Sequence, residues 1–228
     1  MTTRGQSQSA EVIPPSVFAF LRDLRRNNDR EWFNANKERY LADMRDPLLA
    51  FIAGFAPKLA RINPRLVADP SPVGGSLFRI YRDTRFAKDK SPYKTQAGLY
   101  FGRAEGRDSP APGFYLHVAP NEVFMGAGIW RPDPDTLKQV RDAIVAKPAA
   151  WKKVAKGLDA GETLARPPRG YDPEHPLIED LKRKQFTVSH QFGGKDATKA
   201  GFSERFARAC RDASPFCKFL TEAVGWRW

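Results

Sequence analysis

Between Arg79 and Lys94 the chain carries six cationic side chains, two carboxylates and two tyrosines within sixteen residues. Arginine forks grouped this closely suit a phosphate or a carboxylate, which a guanidinium grips through two parallel N–H bonds. They suit an internal ion-pair network equally well. In the first reading Arg82 and Arg85 hold the anion, Lys90 and Lys94 add point charges, Tyr93 offers a hydroxyl, and Asp83 orients an arginine. In the second, Asp83 and Asp89 neutralise two arginines and pin the loop. The candidate ligand-binding set is Arg79, Arg82, Asp83, Arg85, Asp89, Lys90, Tyr93 and Lys94. Cations outnumber carboxylates in it, so some positive charge is left unpaired. The two readings make opposite predictions for Arg82→Ala. A structural network would strand a buried carboxylate, at a loss of roughly 3–5 kcal/mol. A ligand pocket would lose little.

A second candidate follows from an alternating pattern between 113 and 130. Closing a hairpin at Pro120-Asn121 sets Ala119 opposite Glu122. Phe114, Leu116, Val118, Val123, Met125, Ala127 and Ile129 then share one wholly apolar face. Tyr115, His117, Phe124, Gly126, Gly128 and Trp130 share the other, with Tyr115 across from Gly126. Alternate glycines leave a trough that something must approach. Close packing by long N-terminal helices is the first expectation, and a ligand trough rimmed by His117 and the aromatics is the second. His117 and Tyr93 are the candidates for moving a proton.

The elements that must position these residues can be read from hydrophobic spacing. Pro14-Pro15-Ser16 opens a helix with Val17, Phe18, Leu21 and Leu24 on one face. Asp29 is placed to cap the next helix. A long apolar stripe from Phe33 to Ile62 is interrupted at Asp46-Pro47, which predicts two helices or a kink. Residues 64–75 read as loop. Strands are expected over 76–82, 95–102, 113–119 and 122–130, with a further one over 185–191. Residues 103–112 read as a polar hairpin loop. Asp133-Pro134 and Lys147-Pro148 start helices, 159–176 wraps the surface, and Leu177, Ile178 and Leu181 fit a short helix. Two final helices are expected, with Ser214-Pro215 as the cap between them.

The predicted class is α+β: a mainly antiparallel sheet of four to five strands, with helices from both chain ends packed on one face. Residues 1–13 are expected to form a flexible arm and 14–228 a single globular domain. With 228 residues, 41% hydrophobic and 12% aromatic, a sizeable core can be built,. A net charge of +12 favours anionic partners, a small anionic ligand first and nucleic acid second,. Lys147, Lys152, Lys153 and Lys156 offer a basic helix face for the second. No apolar stretch reaches membrane-spanning length and no signal-type segment opens the chain, so a cytoplasmic location without membrane contact is expected.

Several chemistries lack their residues. Gly74-Gly75-Ser76 has neither the spacing nor the lysine of a phosphate-binding P-loop. Gly98, Gly126 and Gly128 fall within predicted strands and open no helix, so there is no dinucleotide fingerprint. No Gly-x-Ser-x-Gly elbow occurs. Cys210 and Cys217 have no zinc spacing and read as buried small hydrophobes. His117, His175 and His190 are scattered, and a cation site on Asp83 and Asp89 would be opposed by its neighbours. No cofactor or metal is expected.

The run Arg-x-x-Arg-Asp-x-Arg-Phe-x-x-Asp-Lys-x-x-Tyr, carried here by Arg79, Arg82, Asp83, Arg85, Phe86, Asp89, Lys90 and Tyr93, resembles the signature of a bacterial family. That family consists of uncharacterised proteins, known as domain of unknown function 2461. The resemblance extends to Trp32-Phe33, to the stretch from Gly126 to Pro132, and to His175-Pro176-Leu177. It implies one unit over nearly the whole chain and no particular reaction.

Overall fold

The computed structural model describes residues 11–103, 111–193 and 195–228. Helix α1 (Pro15–Arg26) begins with proline in its first turn, where the missing N–H costs nothing, and buries Val17, Phe18, Phe20, Leu21 and Leu24. Asp29 caps α2 (Arg30–Ala35) by accepting from the Trp32 N–H at 2.8 Å. A one-turn helix α3 (Lys37–Arg39) passes into a π-helical stretch over Tyr40–Arg45, and α4 (Asp46–Ile62) follows. The expected interruption at Asp46-Pro47 is therefore the start of α4. The wide π turn joins it to the preceding helix without a sharp break.

Four strands form one antiparallel sheet in the order β1 (Ala97–Phe101), β2 (Gly113–Ala119), β3 (Glu122–Ile129), β4 (Phe186–Phe192). The hairpin register is the expected one, with Ala119 opposite Glu122 and Tyr115 opposite Gly126. Phe114, Leu116, Val118 and Ile129 are fully buried, and Val123, Met125 and Ala127 nearly so. Phe55 of α4 lies 4.9 Å from Phe101, ring centre to ring centre. Phe206 of α8 (Phe202–Ala223) lies 5.8 Å from the same ring. Helices from both ends of the chain thus meet on this part of the sheet. A second buried cluster forms around Trp151, between α5 (Pro134–Ala146), α6 (Pro148–Val154), α7 (Ile178–Leu181) and the end of α8. Among the described residues no helix is long and apolar enough to cross a membrane.

Three expectations are corrected. Residues 76–82 do not form a regular strand; they touch the neighbouring chain at isolated bridges, Leu77 with Leu99 and Tyr81 with Tyr93. Tyr81 is four positions after Leu77, but Leu99 is six positions after Tyr93. The register therefore slips by two, and no continuous ladder can form. Ser214-Pro215 does not divide two helices, because α8 runs through it. Proline inside a helix costs about 3 kcal/mol. The buried stripe of Phe206, Cys210, Ala213, Cys217 and Leu220 continues in phase across it and outweighs that cost. Residues 11–13 of the expected arm are held: Ile13 is fully buried and donates to the Ala197 carbonyl, and the Ser203 N–H donates to the Glu11 carbonyl. Residues 1–10 of that arm, and most of the expected 103–112 loop, lie outside the described residues.

Candidate functional site

The register slip builds the site. The Arg82 N–H donates to the Pro92 carbonyl at 2.9 Å, and the Lys94 N–H donates to the Ile80 carbonyl at 2.8 Å. These bonds close the neck of a loop from Asp83 to Ser91. The two extra residues on the return side include Thr95 and Gln96, which line the cleft beneath the loop. Bulged geometry of this kind re-aims side chains that a straight strand would bury. The corner between α1 and α2 fixes the loop from the other side. The Asn28 side chain donates to the Tyr93 carbonyl at 2.9 Å and accepts from the Tyr93 N–H at 3.1 Å. A side-chain amide thereby completes the hydrogen bonds of a backbone unit 65 residues away in sequence.

Both carboxylates of the charged run are committed to ion pairs. Asp89 pairs with Arg82 and accepts from the Ser91 N–H at 2.8 Å and the Ser91 hydroxyl at 2.6 Å. The Ser91 bonds, then Arg82, hold its carboxyl far below the usual range,. Arg82 also donates to the Ser91 carbonyl at 3.2 Å. Asp83 accepts from both sides of the Arg85 fork, at 3.0 and 2.7 Å, and its pKa is lowered chiefly by that bond. Lys90 turns back onto the loop, donating to the Thr84 carbonyl at 3.0 Å. The ion-pair reading of the sequence thus describes Asp83 and Asp89 with their two arginines, Arg85 and Arg82. The carboxylate that Arg82→Ala would strand is exposed, since 62% of the Asp89 side chain is accessible. The loss expected for a buried carboxylate does not apply.

A cavity of about 620 Å³ opens beside this loop, with Arg25, Arg82 and Lys94 as its cations. Asn28, Ser91, Thr95 and Gln96 supply neutral polar groups to its wall. A smaller one of about 330 Å³ lies beyond Arg82, against Arg30, Asn34, Tyr81 and Thr84. Arg82 and Tyr93 border both. Tyr93 is nearly buried, its ring stacked on Phe33 at 4.0 Å. Burial, then the neighbouring Tyr81, raises its pKa, so the hydroxyl stays protonated at neutral pH. Lys94 has no carboxylate within ion-pair distance among the described residues, and its ammonium donates to the Arg79 carbonyl at 2.8 Å. Burial and the adjacent Arg79 charge lower its pKa. Arg85, Lys90 and Arg79 do not reach the cavity wall. Arg25, Asn28, Thr95 and Gln96 do, and the charged motif does not point to them. The run Asn27-Asn28-Asp29 was legible only as a helix break.

The second candidate contracts. Gly126 retains open space: a Cβ there would make only ordinary contact with Tyr115 and Phe124. Gly128 has φ +120°, and a Cβ on it would run into the Phe186 carbonyl and meet Phe216 of α8. It serves close packing against α8 and forms no part of a trough. Trp130 lies past the end of β3, 62% exposed, beside Arg131. On the remaining surface Tyr115, His117, Phe124 and Gly126 are half-buried. The Tyr115 hydroxyl lies 3.3 Å from His117 Nδ1, and the His117 ring stacks on Phe124 at 4.6 Å. Phe78 connects this surface to the charged cleft. Its ring is 6.1 Å from that of Tyr115, and the Lys94 ammonium sits 5.7 Å above it. His175 Nδ1 accepts from the Leu177 N–H, and His190 is exposed on β4. Among the described residues no three His, Cys, Asp or Glu side chains are grouped to hold a metal ion. Both cysteines are buried, and burial pushes the Cys217 thiol up to about 12, which makes it unreactive,.

Fold and site together define an α+β protein in which a cation-rich loop is clamped between a helical corner and the edge of an antiparallel sheet. The chain belongs to the DUF2461 family of conserved hypothetical proteins, whose profile matches residues 16–219. No curated protein matches it.

Proposed function

We propose that the cleft beside Arg82 binds a phosphate- or carboxylate-bearing ligand. The observation that carries this reading is Lys94. It is held half-buried in the cleft wall beside another cation and with no carboxylate partner among the described residues. Asp83 and Asp89, the two carboxylates that line the cleft, are engaged by Arg85 and Arg82. An incoming anion would supply the charge the fold leaves uncompensated. Arg25 reaches the same wall from the end of α1. The Thr95 hydroxyl and the Gln96 amide, which hold no hydrogen bond among the described residues, supply further donors. Arg82 serves two purposes in this reading, pinning the loop through Asp89 and presenting its remaining N–H groups to the ligand.

The test is calorimetric titration with inorganic phosphate, pyrophosphate and a dicarboxylate. The wild-type protein is expected to bind at least one of them. Lys94→Met and Arg25→Ala are expected to weaken that binding about tenfold or more, because each removes a charge-assisted bond. Lys94→Met should fold nearly as well as the wild type, since it gives up only a solvent-exposed bond to the Arg79 carbonyl and relieves the like-charge contact with Arg79. Equal affinity in Lys94→Met, or no binding of any of these anions by the wild type, would remove the reading.

A further inference from the structure

Three aromatic side chains of the same segment stand in solvent: Phe78 is 48% exposed, Tyr81 52% and Phe86 95%. A lone exposed apolar residue needs no explanation. Tyr81 and Phe86 are interleaved with the six cations of the run and Phe78 directly precedes them, and two of the three rings lie beside one of those cations. Lys94 sits over Phe78 at 5.7 Å, and Arg85 lies 5.9 Å from Phe86. Tyr81 borders the smaller cavity, and Arg82 borders both cavities. Tyr81, Arg82, Lys94 and Phe78 therefore lie along one path, with a ring at each end and two cations between them.

We propose that this path binds single-stranded nucleic acid, with phosphates along Arg25, Arg82 and Lys94, unpaired bases stacked on Phe78 and Tyr81, and a further base on Phe86 where the strand leaves the cleft over the loop from Asp83 to Ser91. The proposal rests on the anion reading of the cleft and names the chemical class of its ligand. Aromatic platforms beside a cationic groove suit a single strand, because every base has a face to stack and every linkage a charge. A duplex keeps its base faces hidden and would leave the rings idle. A lipid surface would meet Phe86 but could not enter a concave cleft walled by Thr95 and Gln96. The net charge of +12 provides long-range attraction for a polyanion,.

The experiment is fluorescence anisotropy on the full chain with a labelled oligothymidylate of about ten nucleotides. A duplex of the same length and phosphatidylserine vesicles are run beside it. The single strand is expected to bind best. Phe86→Ala and Phe78→Ala should each weaken it about fivefold or more, the usual worth of one stacked base. Phe86→Ala cannot act through folding, because the ring is almost wholly in solvent. Three neutralised phosphates give a slope of about −2 for log affinity against log salt. Duplex bound as tightly as the single strand, unchanged affinity in Phe86→Ala, or vesicles bound in place of oligonucleotide would each overturn the proposal. If phosphate binds calorimetrically and loses affinity in Lys94→Met while no oligonucleotide binds, this proposal falls and the anion site stands. If neither binds, both fall.

Discussion

Lys94 dictates how the cleft should respond to pH. Its pKa is lowered below the ordinary lysine value of 10.5, first by burial and then by Arg79. It therefore discharges earlier than a surface lysine as pH rises, and anion affinity should fall on the alkaline side before 10.5 is reached. Phosphate titrations at rising pH check this, and Lys94→Arg, which stays charged, should keep its affinity there. His117 makes a separate prediction for stability. Burial lowers its pKa from 6.5, outweighing the opposite pull of Glu122. The unfolded chain then binds the proton first, so stability is full above about 6.5 and declines as pH falls below it. Melting temperatures recorded between about pH 7 and pH 5 should show a decline that His117→Phe reduces. Asp83 and Asp89 add nothing in that window. Their lowered pKa values place their loss below the ordinary carboxylate value of 3.8. Residue types alone announced the charged run, yet they could not assign its members. Tyr93 reads as a surface hydroxyl in a basic loop, and only the stacking of its ring on Phe33 shows that it is nearly buried.

Among the elements, the helical corner and the loop are coupled through one amide. Asn28→Ala would leave the N–H and carbonyl of Tyr93 without their partner, at about 1–3 kcal/mol. The loop should loosen more than the rest of the fold, so hydrogen exchange of residues 80–94 is expected to rise while that of the sheet changes little. Equal protection of the loop in Asn28→Ala would show that its neck bonds suffice. Arg82→Ala should cost little stability, because its carboxylate partner is open to water,. Where one pattern governed a whole element, the sequence was sufficient. Strict alternation located the β2–β3 hairpin and its register, and Asp29 and Asp133 announced the caps they make. Where two demands competed, local signals failed. The 76–82 segment has strand residues but pairs in two registers, and Pro215 breaks helices in isolation yet sits within α8.

At the scale of the whole molecule, α8 ties two buried clusters together. Phe202, Phe206 and Cys210 belong to the cluster that includes the N-terminal helices, and Phe216, Phe219 and Leu220 to the one around Trp151. Gly128 is the point where β3 lets α8 approach. Gly128→Ala would force a side chain against Phe186 and Phe216 at a left-handed φ, and a loss of about 3 kcal/mol or more is expected in denaturant melts,. A loss within a fraction of that would mean the strand relaxes around the methyl group. The position of α8 at the C-terminal end of the fold also bears on how the protein is made. During synthesis the helices before the sheet emerge first, and the apolar side of β1, β2 and β3 follows with Phe101 still lacking Phe206. The nascent chain therefore carries an adhesive surface until α8 leaves the ribosome. A chain stopped at Gly201 should aggregate when released, and a chaperone that shields apolar strands should raise the yield of the complete protein.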